Sequence, residues 1–95
     1  MSRLELEREA VRGEEVARLL ACDAVRQAVE EQLNARREAI LALRSDQTAE
    51  FARIRSGLEA MEALMASLES IAALGGLARE RLAGGRAEET ARRVL

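Results

Sequence analysis

Residues 51–74, FARIRSGLEAMEALMASLESIAAL, carry the strictest periodic signal in the chain. Phe51, Ile54, Leu58, Met61, Met65, Leu68 and Ala72 follow one another at alternating spacings of three and four, which keeps them on one side of a helix turning about 100° per residue. The pattern is a coiled-coil-like seam, and a seam requires a facing helix. Leu64 and Ile71 flank it. Ala60, Ala63, Ala66, Ser67, Ser70 and Ala73 leave the back of the helix small and poorly charged, where a solvated face would carry more Arg, Lys and Glu.

The facing helix is predicted upstream, over residues 14–44. There Cys22, Val25, Val29, Leu33, Ile40 and Leu43 fall in one narrow sector, with Ala17, Ala21, Ala24, Ala28, Ala35, Ala39 and Ala42 in a strip beside it. Small side chains of this kind let another backbone come close. The connection, Ser45-Asp46-Gln47-Thr48, is short and polar, and a short connection between two long helices folds them back as an antiparallel hairpin. Its side chains offer acceptors to the free amides at the start of the second helix, and Asp46 and Glu50 suit the positive end of the helix dipole.

Glycine supplies the remaining punctuation, at Gly13, Gly75-Gly76 and Gly84-Gly85. The expected organisation is therefore an N-terminal arm over 1–13, a hairpin over 14–76 with helices at 14–44 and 48–74, and a C-terminal arm over 77–95. The arms read as short helices, jointed to the hairpin where glycine ends a helix. The last stretch holds Arg79, Arg81, Arg86, Arg92 and Arg93 against Glu80, Glu88 and Glu89, a small basic surplus.

Composition agrees with an all-α class. The 95 residues contain no Pro, Trp or Tyr and one Phe, and Ala, Leu, Glu and Arg dominate. A formal charge of −2 does not provide the basic excess that phosphate contacts require, and Arg36-Arg37 and Arg92-Arg93 have no aromatic residues between them for base stacking. No nucleic-acid partner is expected. Glu59, Glu62 and Glu69 interrupt the most apolar region, so no membrane span is expected, and the opening MSRLELERE lacks the apolar centre of a signal peptide.

Catalytic chemistry has few places to reside. Cys22 is the sole cysteine and there is no histidine, so it has no disulfide partner, no imidazole base and no companion for a Cys/His metal site. It reads as a small core residue. The carboxylate pairs Glu14-Glu15, Glu30-Glu31 and Glu88-Glu89 fall on faces expected to be solvated, and the Gly pairs follow helices, not the strands after which phosphate-binding loops occur. No catalytic residue, metal or cofactor is expected.

Two helices side by side bury one stripe each, which leaves a lone hairpin marginal. The expected core is Cys22, Val25, Val29, Leu33, Ile40, Leu43, Phe51, Ile54, Leu58, Met61, Met65 and Leu68. The expected contacts with a partner are Ala17, Ala21, Ala28, Ala35, Leu64, Ile71, Leu77, Leu82, Arg92, Arg93, Val94 and Leu95, with the terminal arginines matched to an acidic surface.

The runs Val16-Ala17-Arg18-Leu19-Leu20 and Asp23-Ala24-Val25-Arg26-Gln27-Ala28, the polar connection at Asp46 and the segment IAALGGLARERL (71–82) together resemble small helical proteins encoded among the head-assembly genes of tailed phages and prophages. The chain departs from that pattern in lacking a tryptophan near the end of the first helix and a proline after Asp23. The resemblance implies a virion or head-assembly component that packs against copies of itself or a larger phage structural protein. The alternative is a bacterial cytoplasmic chaperone or adaptor that shields a partner's helices.

Overall fold

The computed structural model describes residues 1–94, and every regular element among them is helical. The helices are α1 (Arg3–Ala21), α2 (Asp23–Leu41) and α3 (Thr48–Val94). The all-α class expected from composition is what forms, in three helices where two and short arms were expected.

α1 starts at a reciprocal cap. The Ser2 hydroxyl accepts from the Glu5 amide at 3.2 Å, and a Glu5 carboxylate oxygen accepts from the Ser2 amide at 3.4 Å, so two otherwise free donors are satisfied. From there the helix runs through Gly13 without interruption. It ends at Ala21, because Cys22 adopts an extended conformation (φ −71°, ψ 117°) and stands at the N-cap of α2. The reason lies in the apolar phase. From Leu20, the last half-buried residue of α1, to Val25, the first of α2, five steps advance the helix by about 140°. A helix continued through this point could not keep both stripes on one side.

α2 closes through the Ala42 and Leu43 amides, which donate to Glu38 and Ile40 carbonyls. Gln47 ties the following turn: its amide donates to the Arg44 carbonyl at 3.0 Å and its side chain accepts from the Arg44 amide at 2.9 Å. Side-chain acceptors for the first amides of the second helix were expected from Ser45 to Thr48. Asp46 instead faces Arg44 across 3.6 Å on the exposed surface.

α3 is 47 residues long and continues through both glycine pairs. No break forms at Gly75-Gly76 or Gly84-Gly85, where joints were expected, and Gly13 likewise lies inside α1. Among the described residues no glycine has a positive φ, so none of them ends a helix in the left-handed conformation.

The residues group into two compact units. One comprises Met1–Leu19 with Leu68–Leu95, the other Leu20–Ser67. In the first unit Ala10, Gly13, Gly75 and Ala78 are buried, and these are the only buried positions among the described residues. Gly13 and Gly75 meet backbone to backbone: a Cβ built on Gly13 would lie 2.5 Å from Gly75 Cα, and one built on Gly75 would lie 2.5 Å from Gly13 Cα. Real side chains do not approach so closely, so this crossing admits glycine alone. Leu6 lines one hollow with Leu74, Leu77 and Ala78 and another with Leu82 and Gly85. Arg79 reaches Glu14 at 3.2 Å on the exposed rim.

The second unit pairs α2 with the first part of α3 through half-buried Val25, Val29, Leu33, Ile40, Leu43, Ile54, Leu58, Met61 and Met65. Gly57 lets the Arg36 side chain lie close, 3.6 Å from where a Cβ would stand. The Arg36 guanidinium is held in place by donating to the Gln32 carbonyl and side-chain oxygens at 3.2 and 2.9 Å.

Candidate functional site: the exposed helix faces

Among the described residues nine large apolar side chains are exposed and nothing larger than alanine is buried. The exposed apolar surface is therefore spread over helix faces. Among the described residues no group of three or more His, Cys, Asp or Glu side chains is positioned to hold a metal ion.

Two residues expected in the core are not there. Cys22 is exposed, because the helix break places it at the joint between α1 and α2. Phe51 is 41% exposed at the first turn of α3, where Ile40 and Leu43 line a shallow hollow beside it. The remaining expected core residues, Val25 to Leu68, are half-buried.

Of the residues expected to meet a partner, Ala17, Ala21, Ala28, Ala35, Leu64, Leu77, Arg92 and Arg93 are exposed. Ile71 and Leu82 are half-buried, since the continuation of α3 turns them toward α1. Leu95 and the Val94 side chain lie outside the described residues.

Three features escaped the sequence reading. The inward stripe of α1, Leu6, Ala10, Gly13, Val16 and Leu20, has the same three-and-four spacing as the seam of α3. It was divided at Gly13, because glycine reads as punctuation. The Ser2–Glu5 cap was signalled by the spacing S-x-x-E. The third is the apolarity of α3, which by length and composition is sufficient to cross a membrane, although its carboxylates had excluded a span from the sequence reading. The Ala, Leu and Met around Glu62 and Glu69 outweigh them in the average. Only 6% of that apolar window is buried.

Comparison with family models, with curated proteins and with solved structures gives no match.

Proposed function

We propose that the chain is a non-enzymatic structural or assembly protein, an antiparallel helical hairpin that packs its helix faces against copies of itself or a larger protein. One observation carries the reading: the chain forms three helices, yet among the described residues no side chain larger than alanine is buried. Helices of this length gain most of their stability from tertiary packing of an apolar face, and this chain holds much of its apolar surface in reserve. The antiparallel sense is supported by the order of contacts in the first unit, where Leu6 lies beside Leu82 and Gly13 against Gly75.

A protein partner suits the exposed stretch of α3 better than lipid. Glu62 and Glu69 would each cost roughly 2–3 kcal/mol or more near the centre of a bilayer, whereas a protein partner can supply arginine or water to each. The setting in a phage virion or head rests on the resemblance described above.

Mass spectrometry of the complex that co-purifies with the native protein tests the proposal. A fixed stoichiometric place in a purified particle is the expected result. Release once the particle is complete would support the chaperone reading instead, and isolation as a partner-free monomer would overturn both.

A further inference from the structure

Within the unit formed by Met1–Leu19 and Leu68–Leu95, the start of α1 and the later part of α3 line a hollow of about 190 Å³. Its apolar lining is Leu6 from α1 and Leu82 from α3, both half-buried, beside Gly85. Gly85 keeps the hollow open, since a Cβ built there meets nothing within 4 Å.

Arginines stand around this lining. Arg81 and Arg86 are five residues apart, which places them about 140° apart around the helix, one on either side of Leu82 and Gly85. Arg3 joins them from α1. The hollow holds one carboxylate, Glu89, and it forms an ion pair with none of the three among the described residues. Arg3 faces Glu7 at 3.4 Å, while the guanidinium groups of Arg81 and Arg86 engage no acceptor among the described residues.

We propose that this hollow binds a small organic anion, a carboxylate carried on a short apolar chain. Guanidinium groups donate to both oxygens of a carboxylate at once, and here arginines from two helices border the same hollow. The apolar chain would cover Leu6, Leu82 and the open space over Gly85, which an inorganic anion would leave wet. The volume sets the size of the ligand. Sites for drug-sized molecules measure roughly 300–1,000 Å³, so this smaller one takes a chain of a few carbons and excludes a peptide segment or the paired tails of a lipid. Because Arg3 and Leu6 belong to α1 and the other lining residues to α3, the bound anion ties the two helices together. The site needs no protein partner, so it stands independently of the function proposed above.

NMR of the methyl groups of the full-length protein tests the proposal, with hexanoate as the probe and acetate, hexanol and hexylammonium as comparisons. The Leu6 and Leu82 methyl shifts should saturate with hexanoate at a Kd at least about tenfold below that of each comparison. Arg81→Gln with Arg86→Gln should weaken hexanoate binding about tenfold or more. Gly85→Leu changes no charge and raises helix propensity, so the chain keeps its fold, but the new side chain fills the hollow and should abolish binding. Hexanol bound as tightly as hexanoate would reveal an apolar hollow without an anion site. Acetate bound as tightly, or Gly85→Leu binding hexanoate normally, would mean that the arginines attract anions without the hollow. Either result, or the absence of a saturable shift with hexanoate, would overturn the proposal.

Discussion

The same methyl group should act in opposite directions at two neighbouring positions. At Gly75 it would stand 2.5 Å from Gly13 Cα and 3.0 Å from the Glu9 carbonyl oxygen, whereas at Gly76 nothing lies within 4 Å. Gly76→Ala, like Gly84→Ala and Gly85→Ala, therefore adds helix propensity without obstruction and should stabilise by about 0.5–1 kcal/mol each. Gly75→Ala and Gly13→Ala gain the same propensity but force two backbones apart, and separation of a packed crossing costs roughly 1–3 kcal/mol. Urea denaturation followed at the helical band distinguishes them. A stabilised Gly75→Ala protein would show that the close crossing does not form. Charge in the half-buried stripe provides a second residue-scale test. Ile40→Glu or Met61→Glu should destabilise by about 2 kcal/mol or more, and Glu38→Ala, at an exposed position, should stay within about 0.5 kcal/mol of the wild type.

Among the elements, the joint at Cys22 is the most informative. Its extended backbone is that of an N-cap, yet its side chain makes no capping hydrogen bond to the amides of α2. Cys22→Asp and Cys22→Ser should each stabilise by about 0.5–1 kcal/mol, since an oxygen acceptor then meets a free amide and Asp adds favourable charge at the dipole. A core cysteine in an unbroken helix would respond with a loss, so the sign of the change in thermal midpoint decides between the two structures. The seam of α3 and the stripe of α2 were legible because heptad spacing depends only on which residues are apolar. The joint at Cys22 was not, because neither glycine nor proline marks it and only the shift in phase between Leu20 and Val25 betrays it. The glycines misled for a related reason. Sequence alone does not distinguish a glycine that ends a helix from one that admits a second backbone, and Gly75 is of the second kind. The consequence is testable in the C-terminal part of α3. Because Ala78 and Leu82 pack with α1, deletion of residues 77–95 should melt much of α1 and lower helicity by more than the deleted residues account for. A loss confined to the deleted residues would make this stretch a detachable arm after all.

At the scale of the whole molecule, helicity and stability should come apart. Local terms favour the helices: the composition is rich in good helix formers, and pairs such as Arg55–Glu59 at 3.0 Å and Arg3–Glu7 at 3.4 Å run along their exposed faces. Tertiary terms are meagre, since among the described residues the unit Leu20–Ser67 buries none and the unit formed by Met1–Leu19 and Leu68–Leu95 buries only Ala10, Gly13, Gly75 and Ala78. What the chain lacks in its own interior it can acquire by covering Leu64, Leu74 or Leu77 with another chain, and any species that binds only the folded form raises its stability by mass action. Purified protein should accordingly give a strongly helical circular dichroism spectrum and a thermal midpoint that rises with concentration. If the folded form is a dimer, a tenfold increase is worth about 1.4 kcal/mol per dimer, which moves the midpoint by about 3 °C for two chains of this length. Melts recorded from micromolar to millimolar protein, alongside sedimentation at the same concentrations, measure both quantities. A midpoint independent of concentration in a cooperative monomer would mean that the half-buried stripes suffice, and the exposed apolar faces would then need another explanation.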